Sequence, residues 1–165
     1  MLFFYFNRIL TFVENILAAI GCILLFGMTF SIIFEIFSRA FFGTSYYWIN
    51  EINEYMLLYL TFLGGAYVLR NNGHVTVDIL DTLLSETYRK YSKILIYLLG
   101  IIVCLVLVYY GTLVTLDAFA RDLRSTSLLA YPQAYIYIAI PVGSLIMLLE
   151  FCRKILALQF DSVKE

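Results

Sequence analysis

Residues 94–116, ILIYLLGIIVCLVLVYYGTLVTL, run for 23 positions without a charged side chain. Because the hydrocarbon core of a bilayer is about 30 Å thick, about 20 helical residues of this kind are enough to cross it. Two further uncharged runs, 16–34 and 131–149, each contain 19 residues, and a fourth, 55–69, contains 15. The fourth run reaches spanning length when residues 48–54 form its first turns among the headgroups. The sequence therefore predicts four transmembrane helices, at about 12–38, 48–70, 91–117 and 131–155.

The composition of the whole chain also indicates a membrane protein. Its 165 residues are 62% hydrophobic and 14% charged, whereas soluble domains average about 45–50% apolar and about 25% charged residues. The formal net charge of −1 gives no electrostatic basis for binding nucleic acid. Cys22, Cys104 and Cys152 lie in separate apolar runs, so neither a disulfide framework nor a zinc site is expected. We expect one all-α integral membrane domain over residues 1–165, a four-helix bundle.

The distribution of basic residues predicts the orientation of the four helices. With four spans, both termini lie on the same side of the membrane. That side, together with the 70–93 segment, holds eight Lys and Arg residues, and the opposite side holds Arg39, Arg121 and Arg124. Since the side with more Lys and Arg is normally cytoplasmic, both termini are predicted to be cytoplasmic.

The connection between the second and third spans has the pattern of an amphipathic helix. Apolar residues recur there at spacings of three and four, as expected for one face of a helix lying flat on a membrane. We predict a cytoplasmic surface helix at about 75–91 in contact with membrane lipids; a cytoplasmic extension of the third span is the alternative. Its apolar residues are Val77, Leu80, Leu84, Tyr88 and Tyr91.

The predicted spans lack the groups that carry chemistry in membranes. Proton relays and substrate sites usually contain ionisable side chains inside the bilayer, but the charged residues here fall near predicted helix ends. His74 is the single histidine, and no nucleophile stands beside a base. We therefore expect no catalytic, metal-binding or cofactor-binding residue, no enzymatic activity and no complete transport path. The charges near the helix ends are Glu14, Glu35, Arg39, Glu51, Glu54, Asp117 and Glu150.

Small and helix-breaking residues suggest contacts or bends. Gly64 and Gly65 let another backbone approach closely, either within this bundle or from a partner subunit. Pro141 and Gly143 predict a kink in the last span, since proline leaves the carbonyl of residue 137 without its donor; a contribution to a ligand path is the alternative. His74 follows Gly73 beyond the second span, where a turn or helix cap is favoured over a titrating role.

Charged residues in the two outer loops have several interpretations. In the first loop, Arg39, Glu51 and Glu54 with Trp48 form an interfacial anchor with independent charges, an Arg39–Glu51 ion-pair clamp, or a contact with a partner protein. In the second loop, Arg121 and Arg124 either stay solvated or meet acidic groups of a partner.

An ordered set of motifs runs through the chain. It resembles the small membrane subunit (the Q-type small permease) of tripartite ATP-independent periplasmic (TRAP) transporters, over about residues 32–147. No single motif is specific, but their order is. The motifs are SRAFFG at 38–43, WINEINEY at 48–55, FLGGA at 62–66, Arg70, His74, VD at 77–78 and IPVG at 140–143.

The resemblance implies a function and partners. Such a subunit is a multi-pass protein of the bacterial inner membrane and packs beside the scaffold of a large membrane subunit. That large subunit moves an organic acid and sodium by an elevator-like movement, and a periplasmic binding protein delivers the substrate. The transported acid is a dicarboxylate, a keto acid or a sialic acid. A self-sufficient homo-oligomeric carrier or channel is the alternative function.

Overall fold

The computed structural model describes residues 2–71, 86–127 and 129–161, with side chains omitted at 2–4, 86–90 and 158–161. These residues form five helices: α1 (Leu2–Phe42), α2 (Tyr47–Arg70), α3 (Glu86–Ala120), α4 (Gln133–Tyr137) and α5 (Ala139–Asp161). Four segments are long and apolar enough to cross a membrane. They confirm the four predicted spans. Their bounds are Tyr5–Phe42, Tyr47–Arg70, Tyr91–Ala120 and Gln133–Ala157.

The first helix is much longer than the bilayer requires. α1 contains 41 residues, about 60 Å at 1.5 Å per residue, whereas residues 12–38 were expected. Its apolar sequence extends back to Leu2, and no glycine or proline interrupts the helix at either predicted end. α1 ends where Gly43 adopts a left-handed conformation, with a φ of 65°. The N–H of Gly43 donates to the carbonyl of Arg39 at 3.2 Å, a common way to end a helix.

The helices form an open row. α2 packs against α1 on one side and α5 on the other, and α3 packs against the far side of α5. Within the described residues α1 and α3 do not contact each other. The four spanning helices therefore lie side by side in the order α1–α2–α5–α3, and α1 and α3 each expose most of their surface.

The seam between α3 and α5 follows a seven-residue repeat on α3. On α3, the buried residues Tyr97, Cys104, Gly111 and Ala118 are seven apart and face the α4–α5 side of the row. A repeat of seven keeps one stripe of a helix against its neighbour. The thiol of Cys104 is therefore part of the packing of α3.

The last span is interrupted before Pro141. α4 ends at Tyr137 and α5 begins at Ala139. The N–H of Ile138 donates to Ala134 at 3.1 Å, and the N–H of Val142 donates to Ile138 at 3.3 Å. Proline cannot donate to the carbonyl of Tyr137, so the break coincides with the position predicted for the kink.

Most of the predicted surface helix at 75–91, together with His74, lies outside the described residues. Its last residues, 86–91, form the beginning of α3. α3 thus begins at Glu86, before the predicted start of the third span at about 91, and the separate surface helix stays a prediction.

Candidate functional site

Glu14 lies at the centre of a buried ion cluster at the end of the row that holds both termini, here called the terminal end. Its Oε2 is 3.0 Å from Nη1 of Arg70 and 3.4 Å from Nη2 of Arg153. The same nitrogen of Arg153 is 2.6 Å from Oε2 of Glu150. Glu14 and Glu150 are 0% and 1% exposed. These four residues, the Glu14 cluster, join α1, α2 and α5 with two positive and two negative charges.

The two arginines of the Glu14 cluster also bind a polar stripe on α1. Arg70 donates to the carbonyl of Thr11 at 3.2 Å and to Oδ1 of Asn15 at 2.6 Å. Arg153 donates to Oδ1 of Asn7 and to Oγ1 of Thr11, both at 3.0 Å. Buried arginines need hydrogen bonds as well as opposite charges, and this stripe provides them. The cluster is therefore the main link between α1 and α5.

A second polar layer lies near the other end of α1. Oε1 of Glu35 accepts a hydrogen bond from Nε of Arg39 at 3.1 Å and one from Oγ of Ser45 at 3.1 Å. The 21 residues that separate Glu14 from Glu35 correspond to about 31 Å of helix, close to the thickness of a hydrocarbon core. The two layers thus lie about one bilayer core apart along α1.

The predicted Arg39–Glu51 clamp is replaced by other contacts. Arg39 pairs with Glu35, one turn earlier on the same helix, which is the (i, i+4) alternative available to any helix. Oε2 of Glu51 accepts a hydrogen bond from the backbone N–H of Leu129 at 3.2 Å. Among the described side chains, Arg39 and Glu51 therefore belong to different contacts.

Hydrogen bonds hold the loop between α3 and α4, and α4 itself, against α2. Glu51, Tyr55 and Tyr59, each four residues apart, lie on one face of α2. Glu51 binds the N–H of Leu129, the hydroxyl of Tyr55 is 3.4 Å from that of Ser127, and the hydroxyl of Tyr59 donates to the carbonyl of Tyr135. The two limbs of the loop are themselves paired, with Ser125 N–H donating to Tyr131 at 2.9 Å and Gln133 N–H to Leu123 at 2.9 Å.

Loss of the hydrogen bond from Tyr59 should lower stability measurably. Tyr59→Phe removes the donor to the carbonyl of Tyr135, so we expect the free energy of unfolding to fall by about 0.5–1.5 kcal/mol. Thermal unfolding in detergent measures the change. Tyr47→Phe is the matched control, because Tyr47 is 66% exposed at the start of α2. Equal unfolding temperatures for the two variants would contradict the assigned role of Tyr59.

The arginines of the α3–α4 loop form local, exposed ion pairs. Nε of Arg121 is 2.7 Å from Asp117, and Nη2 of Arg124 is 3.4 Å from Asp122. Exposed pairs of this kind typically contribute about 0–1 kcal/mol. Most of each arginine side chain remains accessible, and a contact with a soluble partner stays a prediction.

The small residues singled out in the sequence occupy different environments. A Cβ added to Gly143 would lie 2.6 Å from the carbonyl carbon of Phe62 in α2. One added to Gly65 would lie 2.9 Å from the sulfur of Met147 in α5, whereas Gly64 has no neighbouring atom within 4 Å. Pro141 packs against Gly111 of α3. Gly65, Pro141 and Gly143 are thus packing residues within this chain, and Gly64 faces outward.

Trp48 and Glu54 remain at the surface. Trp48 is 43% exposed, and its ring lies edge-on to Tyr46 with 6.3 Å between the ring centroids. This placement agrees with an interfacial anchor. Glu54 is exposed on α2, whereas Glu51, three residues earlier, is half-buried.

Comparison with known proteins decides the family. Residues 28–160 match the family described as tripartite ATP-independent periplasmic transporters, DctQ component. The match covers well over half of the chain. The chain belongs to the DctQ family.

Three relatives illustrate the range of this family. The ectoine TRAP transporter small permease protein TeaB of Halomonas elongata is 26% identical over 140 residues, which is 85% of this chain and 70% of TeaB. The sialic acid TRAP transporter permease protein SiaT of Haemophilus influenzae is 28% identical over 130 residues, 78% of this chain but 20% of SiaT. The C4-dicarboxylate TRAP transporter small permease protein DctQ of Pseudomonas aeruginosa is 28% identical over 116 residues, 63% of this chain and 50% of that protein.

Membership of the DctQ family, together with the four apolar helices, establishes a multi-pass protein of the bacterial inner membrane with a non-enzymatic role. It confirms the resemblance found in the motifs. The chain is a small permease subunit of the TRAP type. Its Glu14 cluster is the part of the structure that the motifs did not reveal.

One member of the cluster, Arg70, was predicted as a site residue from the sequence of this DctQ-family chain. The other three, Glu14, Glu150 and Arg153, were missed. Because they fall near the ends of uncharged runs, the sequence suggests that they lie in the headgroup region. One signal was present: Asn7, Thr11 and Glu14 form a polar stripe on an otherwise apolar helix. Such a stripe indicates a buried partner on a neighbouring helix.

Proposed function

We propose that this chain is the non-transporting small subunit of a TRAP transporter and acts with a large membrane subunit and a periplasmic substrate-binding protein. The alignment with SiaT supports this arrangement. The region of SiaT that resembles this chain is a fifth of its length, so in that permease the similar region and a much longer remainder share one polypeptide. In this proposal, the large membrane subunit corresponds to that longer remainder.

The observation that carries the proposal is the internal pairing of the buried carboxylates. Glu14 and Glu150 bind arginines of this same chain, and Glu35 binds Arg39. Sites that move ions or charged substrates keep ionisable groups facing a water-filled cavity. In the described spans these three carboxylates instead hold helices and loops in place, as in a scaffold.

The open row fits a subunit that enlarges the scaffold of a larger protein. A row of helices has two broad faces and two outer edges, so it offers far more contact area than a closed bundle of the same length. In this proposal the large subunit carries the organic acid and sodium by an elevator-like movement, and the small subunit holds the immobile part of the complex in the bilayer.

The choice of substrate is proposed to lie outside this chain. Relatives of 26–28% identity are named for ectoine, sialic acid and C4-dicarboxylates. Substrates of different chemistry are thus compatible with the same kind of small subunit. Selection then belongs to the large subunit and the binding protein.

The orientation in this proposal places the terminal end in the cytoplasm. The α1–α2 and α3–α4 loops then face the periplasm, where Arg121 and Arg124 can meet acidic groups of the binding protein. The segment predicted as a surface helix at about 75–91, most of which lies outside the described residues, is proposed to contact lipids of the inner leaflet.

Omission of this chain should abolish transport. We expect proteoliposomes with the large subunit, the binding protein and this chain to take up the organic acid. Those lacking this chain should show at most a tenth of that rate, because the scaffold is incomplete. Uptake of labelled substrate under a sodium gradient measures the difference. An unchanged rate with the large subunit alone would contradict the proposal.

Proteoliposomes containing only this chain test the alternative function. A self-sufficient homo-oligomeric carrier or channel would produce substrate flux without partners. We expect the flux to equal that of empty vesicles, and a specific, saturable flux would favour the alternative.

A further inference from the structure

Helix α3 forms one edge of the row and carries two tyrosines on its outer side. Its inner stripe, from Tyr97 to Ala118, faces the α4–α5 side of the row, whereas Tyr109 and Tyr110 are each 61% exposed. Their rings meet edge to face, with 5.1 Å between the centroids. These rings therefore project away from the rest of the chain.

The depth of these tyrosines places their hydroxyls inside the hydrocarbon core. Tyr110 is 7 residues before Asp117 and 17 residues after Lys93, about 10 Å and about 25 Å along the helix. Side chains on a helix lean toward its N-terminus, which here is away from Asp117. The hydroxyls consequently lie deeper than the backbone of Tyr109 and Tyr110, and out of reach of the nearer headgroups.

Neither hydroxyl has a hydrogen-bond partner in the part of the chain that the structure describes. Other midspan hydroxyls do: Tyr59 donates to the carbonyl of Tyr135, and Thr112 donates to the carbonyl of Val108 at 2.6 Å. Lipid tails offer no acceptor, and an unsatisfied polar group in hydrocarbon is strongly disfavoured. Two unsatisfied hydroxyls on one patch therefore indicate a polar group from another membrane protein.

The outer side of α1, at the opposite edge, has a different character. Its exposed large side chains at midspan are those of Ile, Leu and Phe, including Ile23, Phe26 and Phe30 at 71%, 65% and 72% exposure. The exposed hydroxyl of Thr29 donates to the carbonyl of Leu25 at 2.9 Å and needs no outside acceptor. This side suits lipid tails.

We propose that the face of α3 that bears Tyr109 and Tyr110 is the surface that binds the large membrane subunit. A helix of that subunit supplies hydrogen-bond acceptors, such as backbone carbonyl or side-chain oxygens, to the two hydroxyls. The outer side of α1 faces lipid. This inference rests on the proposed function, because it takes the large subunit as the partner.

Site-specific photocrosslinking in membranes that contain the whole transporter tests which edge is used. A benzophenone-bearing phenylalanine replaces Tyr110 in one variant and Phe30 in the other, so that two exposed aromatic positions at similar depth are compared. We expect an adduct with the large subunit from position 110 at least tenfold stronger than from position 30. The reverse ratio, or an adduct between two copies of this chain at position 110, would overturn the proposal.

Conservative removal of the hydroxyls tests the hydrogen bonds themselves. Tyr109→Phe with Tyr110→Phe should reduce the large subunit recovered with the tagged chain at least fivefold, with unchanged thermal stability of the isolated chain. Tyr91→Phe, at an equally exposed position outside the proposed patch, should change neither quantity. Full recovery with the double variant overturns the hydrogen bonds. Failure of the unsubstituted chain to recover the large subunit overturns the proposed function as well.

Discussion

Gly143→Ala is expected to disrupt the packing of α2 against α5. The added Cβ would lie 2.6 Å from the carbonyl carbon of Phe62 and closer still to its oxygen. These are backbone atoms of a helix, so the two helices must move apart to accept the methyl group. Overpacking typically costs about 1–3 kcal/mol, occasionally more. Thermal unfolding and the yield of monodisperse protein in detergent measure the loss.

Two neighbouring glycines provide matched controls for Gly143. Gly64→Ala should leave stability unchanged or slightly higher, because nothing lies within 4 Å and alanine favours a helix. Gly65→Ala should have an intermediate effect, since the flexible end of Met147 can shift from its 2.9 Å approach. A Gly143→Ala variant as stable as Gly64→Ala would show that the seam between α2 and α5 is looser than described.

Glu14→Ala should be the most damaging change at the terminal end. It removes the carboxylate that Arg70 and Arg153 share and leaves two largely buried positive charges with Glu150 as the remaining counter-charge of the cluster. Removing one member of a buried ion pair typically costs about 3–5 kcal/mol. We expect a large fall in unfolding temperature, and a fall in complex yield, in detergent-solubilised samples.

A double-mutant cycle separates this effect from general damage. Glu14→Ala with Arg70→Ala should cost clearly less than the sum of the single changes, because the two groups lose their partners together. Arg121→Ala serves as the exposed control, and its loss should stay within about 1 kcal/mol. If the losses from Glu14→Ala and Arg70→Ala were strictly additive, the contact between these two residues would not contribute to stability.

The sequence was sufficient to predict the helices that cross the membrane. The uncharged runs 16–34, 55–69 and 94–116 each fall within a described spanning segment, and the run 131–149 overlaps the fourth segment from Gln133 onward. This works because a bilayer demands an apolar helix of a minimum length, a property that can be counted along the chain. The ordered motifs predicted the family for a different reason, since they reflect common descent.

Helix ends were predicted less well. A bilayer sets a lower limit on the length of an apolar helix but no upper limit. α1 therefore extends back to Leu2 and forward to Phe42, where Gly43 ends it. In contrast, α2 ends at Arg70 as expected, because a charged residue there follows directly on the apolar run.

The tertiary structure alone decided which polar and small residues meet. Glu14 binds Arg70 and Arg153, which are 56 and 139 residues away along the chain, and no local spacing encodes such pairs. Gly64 and Gly65 look equivalent in the sequence, yet a rotation of about 100° per residue points one outward and the other into α5. Composition and periodicity indicate which side chains avoid water. In a bilayer, however, lipid and protein neighbours are equally apolar, so hydrophobicity cannot distinguish them, and only close packing and ion pairing set the order α1–α2–α5–α3.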